Sequence, residues 1–428
     1  MTQNALHPRF ITPRLAEALE DSPVVLIQGP RQSGKTTLAQ MMCAPANLQG
    51  LDAAAGPAYG YLSFDDDVVR AGAEADPMAF VDRLPDRVVL DEVQRAPGLF
   101  TALKLEVDRR RTPGRFLLTG STNVLAVPTV QESLAGRLET IHLHPLSQSE
   151  LHTGAPAAPS FLDALFTDGP RARRTARLGP KLADLIVSGG YPPALARPPG
   201  RRRANWYRNY ISAQMQRDVA DVSRIRGLDV LPRLLALAAT QTAQLFNVSS
   251  LAAPFQLSRP TIGDYVTLLE RAYLLERLPP WYSNRGKRLV KTPKLHVGDT
   301  GVVCSLLGVS AQALLDDRTL LGQVAETFVF QELRRQAGWH ADPVEFYHYR
   351  DKDQYEVDVV MECAGRVAGV EVKAGATVTQ SDFRGLRRLK EACAERFAAG
   401  AVLYDGEAVV GFGESLFAVP MQTLWEGE

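Results

Sequence analysis

The segment Gly29-Pro-Arg-Gln-Ser-Gly-Lys-Thr36 carries the spacing GxxxxGK[ST]. Backbone N–H groups of such a loop point inward around a polyphosphate, and glycines keep a Cβ from blocking the approach. Lys35 would neutralise terminal phosphate oxygens, and the Thr36 hydroxyl would hold Mg²⁺. An apolar strand expected at 24–27 leads into the loop, and Thr37-Leu-Ala-Gln-Met-Met continues as a helix, so the anion would sit at a helix N-terminus. This context argues against a chance glycine-rich turn. The binding set is Gly29, Pro30, Arg31, Gln32, Ser33, Gly34, Lys35, Thr36 and Thr37.

Val88-Val-Leu-Asp91-Glu92 supplies the complementary half: an apolar strand ending in two acids, Asp91 to support the metal and Glu92 to polarise an attacking water. The next strand ends in Thr119-Gly-Ser121-Thr122, where a hydroxyl, Ser121 first among them, is placed to sense the γ-phosphate. Ser133-Leu-Ala-Gly-Arg137 ends in an arginine that, used in trans, would reach a neighbouring subunit's phosphate. The competing reading of Arg137 is a solvated surface side chain.

A second constellation lies near the C-terminus. Asp358 sits in Tyr355-Glu-Val-Asp-Val-Val, and Glu371 and Lys373 alternate with valines in Gly369-Val-Glu-Val-Lys, so both emerge on one sheet face. A two-residue turn at Ala364-Gly365 would set Asp358 opposite Glu371, whereas a turn at Gly365-Arg366 would set it opposite Lys373. Glu326 falls inside the apolar arc of a helix expected over 324–336. Two carboxylates and a lysine on a sheet face resemble the PD-(D/E)XK nuclease site. That resemblance implies Glu326, Asp358 and Glu371 as ligands of a divalent ion, with Lys373 positioning water for phosphodiester attack. A cross-strand ion pair, or a nuclease-like fold without activity, competes with it. His142 and His144 lie on one face of an expected strand and read as packing residues.

The elements that must position these groups alternate between strand and helix over residues 1–150, as a parallel sheet covered on both faces requires. A Pro/Gly/Arg-rich stretch at 151–180 reads as an insertion or linker. A helical region spans 181–245. Residues 246–290 read as a winged-helix module: Ser258 caps a helix bearing Ile262, Val266, Leu269 and Tyr273 on one face, and Arg285, Lys287 and Arg288 form a basic wing; in DNA contact Arg259 and Thr261 would lie nearest the bases, and a module that only packs against neighbouring domains competes with this. Residues 291–428 return to α/β patterning as a restriction-endonuclease-like domain.

Gly-Pro-Arg-Gln-Ser-Gly-Lys-Thr-Thr-Leu, Val-Val-Leu-Asp-Glu-Val-Gln, Phe-Leu-Leu-Thr-Gly-Ser-Thr and Glu-Ser-Leu-Ala-Gly-Arg occur in that order. Ser188-Gly-Gly-Tyr-Pro192, Lys294-Leu-His-Val-Gly-Asp299 and Gly322-Gln-Val-Ala-Glu326 follow. Together they resemble the AAA+ ATPases of bacteria and archaea that carry a C-terminal domain of unknown function, the 153–180 stretch being a departure. The resemblance implies an α/β P-loop NTPase core of the AAA+/ASCE type, ATP and Mg²⁺ as cofactors, ATP hydrolysis, and assembly into a homo-oligomer. DNA is a candidate partner, and two roles follow: ATPase coupled to a DNA-associated C-terminal activity, or an ATP-gated DNA- or protein-binding switch with an inactive nuclease-like domain. The chain has 428 residues, 48 basic and 48 acidic side chains and only four cysteines, which suits a reduced cytoplasm and excludes a globally basic nucleic-acid coat. No apolar run is long enough to span a membrane.

Overall fold

The computed structural model describes residues 6–43, 58–121, 134, 136–156, 159–216, 230–283 and 292–426. Thr122, Ser133 and the basic wing residues Arg285, Lys287 and Arg288 lie outside these. The chain divides into two compact units, one of Arg9–Pro145 with Arg271–Tyr273, the other built chiefly of Leu146–Glu270 and Leu274–Glu428.

The first unit is a five-stranded parallel sheet. Its strands are β1 (Val24–Gln28), β2 (Gly60–Ser63), β3 (Val88–Asp91), β4 (Phe116–Gly120) and β5 (Leu138–His142), in the order β2-β3-β4-β1-β5. β1, β3 and β4 are buried along their whole length, as their unbroken Val/Leu/Ile character demands of strands covered on both faces. Helix Leu99–Arg109 presses Leu99, Phe100, Leu103 and Val107 onto this core. Because all strands run the same way, Gln28, Ser63, Asp91 and Gly120 end on one edge, and the chain reverses its lateral direction beside β1. Ligands of open α/β sheets bind outside such carboxyl ends.

The second unit contains two sheets. Strands β6 (Gln244–Leu245), β7 (Leu275–Leu278) and β8 (Lys294–Val297) pair antiparallel in the order β6-β8-β7. The helix Arg259–Arg271 buries Ile262, Val266 and Leu269, with Ser258 Oγ accepting the Thr261 N–H. Tyr273 lies past its end at φ 59°. The larger sheet holds β9 (Val344–Arg350), β10 (Glu356–Cys363), β11 (Arg366–Lys373), β12 (Phe397–Tyr404), β13 (Val410–Gly411) and β14 (Leu416–Pro420), ordered β13-β14-β12-β11-β10-β9. Cys363 pairs with Arg366, so the turn is Ala364-Gly365, both at positive φ (47° and 82°) as a two-residue hairpin of matching twist requires. Of the two-residue turns the sequence offered, this one places Asp358 opposite Glu371. Helix Arg384–Cys393, preceded by Phe383, lays Leu386 and Leu389 on the sheet; each such side chain contributes roughly 1.5–3 kcal/mol.

The 151–180 stretch is more than a linker. Helix Phe161–Phe166 buries Phe161, Leu162, Leu165 and Phe166 behind a capping box between Ser160 and Asp163. The chain then runs along 405–409: Val409 N–H donates to Arg173 O (2.9 Å), Thr175 N–H to Glu407 O (2.8 Å), and Arg177 pairs with Asp405 (3.0 Å). The surrounding Pro, Gly and Arg mask a short apolar helix whose side chains complete the second unit's core.

Candidate functional site

The loop after β1 folds as an anion nest. Gln32 and Gly34 take positive φ (61° and 104°), and a Cβ at Gly29 would meet Leu143 O at 2.2 Å, so the backbone needs glycine there. Arg9 clamps the loop from outside, donating to Ser33 O and His144 O, both at 2.6 Å. Helix Lys35–Cys43 begins at the loop's end, so its unpaired N–H groups face the same space. Lys35 is 4% exposed, and its Nζ donates to Gly29 O (2.9 Å) and Pro30 O (2.8 Å). An ammonium held inside a ring of backbone dipoles, at a helix start, fits a polyphosphate.

The metal-facing groups meet as well. Thr36 Oγ1 lies 3.0 Å from Asp91 Oδ1, so one hydroxyl and one carboxylate oxygen converge where a hard divalent cation would need them. Asp91 is itself held in place. Thr119 Oγ1 donates to Asp91 Oδ1 at 2.6 Å and Tyr61 OH to Oδ2 at 2.9 Å. Burial and Asp91's charge push the Tyr61 phenol up to about 12, so it stays a donor.

Glu92 stands in left-handed backbone geometry (φ 56°, ψ 45°), a conformation that costs a non-glycine residue on the order of 1 kcal/mol and persists where surroundings over-determine it. Its N–H donates to Thr119 Oγ1 (2.9 Å), and its carboxylate accepts from Gln94 Nε2, which also donates to Ser121 Oγ at 3.0 Å. Ser121 therefore bears on Glu92 through Gln94. Thr119 was within the quoted Thr-Gly-Ser-Thr motif, but its role was not; Gln94 sits two residues beyond Glu92, and Tyr61 carries no local signal at all.

Arg137 occupies a different place. It immediately precedes β5, whose Leu138 pairs with Val24, at the amino edge of the sheet. Five residues at about 3.3 Å each separate it from the level of the phosphate loop, and its Nε pairs with Asp108 at 2.6 Å. It does not reach the nucleotide loop of its own subunit. His142 ends β5 and is exposed.

In the second unit the acids expected to bind metal are brought together, but around a lysine. Lys294 of β8, 2% exposed, lies 2.7 Å from Glu326, 2.8 Å from Glu356 and 3.0 Å from Asp358. Asp358 Oδ2 also accepts the Val372 N–H at 2.9 Å. Burial opposes ionisation of Asp358, yet Lys294 and that N–H hold it below the usual range; burial, then Asp358's charge, push Glu326 up. Glu371 pairs instead with Lys373 (2.8 Å), and burial with the nearby Asp358 pushes its carboxyl up to about 8. Among the described residues no group of three His, Cys, Asp or Glu side chains is arranged to hold an ion. Two of the acids expected as ligands, Glu326 and Asp358, share instead the ammonium of β8, a strand the local motif does not contain.

Two histidines beside this cluster give a pH dependence. Burial, then Lys294's charge, push His296 down to about 3 and His348 down to about 4. Unfolded, both titrate near 6.5, so below that pH the unfolded chain takes up protons the folded one refuses. Stability is expected to be full above pH 6.5 and to fall toward pH 4 by up to about 1.4 kcal/mol per pH unit per histidine. Urea midpoints against pH, wild type beside His348→Gln, measure it; equal slopes would remove His348 from the account.

The Ser188-Gly-Gly-Tyr and Gly298-Asp299 motifs meet at a buried network. Asp299 Oδ2 accepts from Gly190 N–H (2.8 Å) and Arg335 (3.2 Å). Arg335 also pairs with Glu332 (2.7 Å) and donates to Leu146 O (3.0 Å), and Gln148 N–H donates to Glu332 at 2.8 Å.

Residues 21–152 match the model of a family described as an AAA domain, 179–313 a domain of unknown function (DUF8612), and 321–424 a second domain of unknown function (DUF4143). Two curated relatives are 31% identical over 413 residues, covering 96% of this chain and 83% of theirs: the uncharacterized proteins Rv2008c of Mycobacterium tuberculosis and Mb2031c of Mycobacterium bovis. The chain belongs to this family of AAA-domain proteins. With its nucleotide loop and acid pair, it is an AAA-type, ATP-binding ATPase with an α/β P-loop core. Of solved structures, the Walker-type ATPase PABY2304 of Pyrococcus abyssi matches with a TM-score of 0.40 and 13% identity, over 71% of this chain and 99% of that one, a likeness too slight to carry an argument. No helix among the described residues is long and apolar enough to cross a membrane.

Proposed function

We propose that the family's ATPase activity is Mg²⁺-dependent ATP hydrolysis at the β1–β3–β4 edge. The observation that supports it is the contact of Thr36 with Asp91 at 3.0 Å beside the buried Lys35. Mg²⁺, when bound, would be held through Thr36 with Asp91 in support and would offset phosphate charge. Lys35 neutralises the terminal phosphates. Thr119 and Tyr61 hold Asp91 against rotation, and Glu92, steered by Gln94 and Ser121, orients and polarises the attacking water. Glu92→Gln keeps shape and hydrogen bonding but loses the basic oxygen. Nucleotide affinity is expected to survive, with turnover down roughly 10²–10⁴-fold. Phosphate release and calorimetry on one preparation test this; near-normal turnover would sink it.

Arg137, set far from its own loop, acts in trans in this reading, which calls for a homo-oligomer. For the second unit the switch is the better-supported role. The Lys294 contacts favour a nuclease-like fold without cleavage activity, with Lys373 tied to Glu371. The exposed Arg259, at the start of a capped helix beside the β6-β8-β7 sheet, supports winged-helix contact with DNA.

A further inference from the structure

We propose that Lys294 is a resident cation: its ammonium takes the position a divalent ion would need between Glu326 and Asp358, so this cluster works without metal. The inference rests on the nuclease-like reading of the second unit and is independent of ATP hydrolysis by the first.

Three features of the geometry carry it. First, the three carboxylates approach one nitrogen from different elements. Glu326 comes from the helix Arg318–Ala337, Glu356 and Asp358 from the same face of β10, and the lysine from β8 in the other sheet. The ammonium donates to Glu326 (2.7 Å) and Asp358 (3.0 Å) and ion-pairs with Glu356 at 2.8 Å. Second, Lys294 is 2% exposed, so it cannot swing into solvent to make room for an ion without β8 moving. Third, the remaining acid of the motif faces its own cation, Lys373, at 2.8 Å. A divalent ion entering here would meet the Lys294 charge within about 3 Å, where repulsion in a poorly solvated interior is large. The cluster is thus a cation-centred joint between the two sheets of the unit.

Removing the ammonium should convert the joint into a metal site. In Lys294→Met the thioether chain fills similar volume and three carboxylates are left facing one another, a hard-oxygen set suited to Mn²⁺ or Mg²⁺. The experiment is Mn²⁺ titration without nucleotide, read by electron paramagnetic resonance and by thermal shift, on full-length wild type, Asp358→Asn and Lys294→Met. The proposal expects wild type and Asp358→Asn to bind Mn²⁺ alike, and Lys294→Met to bind at least tenfold more tightly and to melt higher with added Mn²⁺. A wild-type Mn²⁺ site that Asp358→Asn abolishes would overturn it, and that arm stands whether or not the lysine variant folds well. A folded Lys294→Met protein indifferent to Mn²⁺ would also overturn it. ATP turnover on the same samples keeps the two readings apart: its absence from wild type would count against the proposed hydrolysis and leave the metal result unaffected.

Discussion

Lys35→Ala is expected to lower ATP turnover at least about a hundredfold and to weaken nucleotide binding, with the protein still folded. The scale follows from removing one preorganised positive donor aimed at developing charge, typically a loss of about 10²–10³. The geometry makes the site unforgiving. Lys35 opens the helix Lys35–Cys43, its backbone fixed by that helix and its ammonium by the carbonyls of Gly29 and Pro30. Losing it takes the ammonium from both carbonyls, Pro30 O keeping only the Ser33 N–H at 3.4 Å, which costs roughly 1–3 kcal/mol per group if water does not replace it. A thermal melt must therefore accompany the kinetics, so that loss of fold is not read as loss of chemistry. Lys35→Arg should not rescue: the guanidinium is a planar fork rather than a compact charge, and the position is 4% exposed with its Nζ set on two carbonyls. Turnover and nucleotide affinity both unchanged in a folded Lys35→Ala protein would remove the basis for placing ATP at this loop.

What could be read from the sequence was whatever is built from neighbours in the chain. The phosphate loop spans eight consecutive residues between a strand and a helix, so its chemistry and its scaffold are written together. The Asp358–Glu371 pairing was one that a two-residue turn allowed, because a hairpin turn converts a count of residues into a pairing. Tyr61, Gln94 and Lys294 escaped for the opposite reason. Tyr61 reaches Asp91 because β2 pairs with β3, and Gln94 matters because β4 brings Ser121 beside it. Lys294 enters the acidic cluster from another sheet. A lysine opening the short strand Lys-Leu-His-Val gives no sign of three carboxylates waiting 32, 62 and 64 positions away. In the 151–180 stretch, read from composition as an insertion or linker, Ser160 and Asp163 form a capping box at the start of an apolar helix, a local signal outweighed by the prolines, glycines and arginines on either side.

Arg335→Met is expected to be the most damaging change to stability, about 3–5 kcal/mol. Arg335 is 4% exposed and pairs with Asp299 and Glu332, whose side chains are 1% and 0% exposed, so the variant leaves two buried carboxylates with no cation. Burial already pushes the Glu332 carboxyl up with the arginine present. The substitution also removes the donor to Leu146 O, and with it one tie between the helix Arg318–Ala337 and the chain that begins the second unit. An intact pair in such a place is only weakly stabilising relative to apolar residues of the same size, whereas a broken one is costly; the two cases make different predictions. If the penalty comes from uncompensated charge, the triple change Arg335→Met with Asp299→Asn and Glu332→Gln should recover a good part of it, since the amides need no counter-ion and the amide oxygen at position 299 can still accept the Gly190 N–H. If the penalty comes from lost packing, the triple variant should be no better than the single one. Urea unfolding of wild type, single and triple variants separates these outcomes, and a single-variant loss under about 1 kcal/mol would show that Asp299 and Glu332 find other partners or protons when Arg335 is gone.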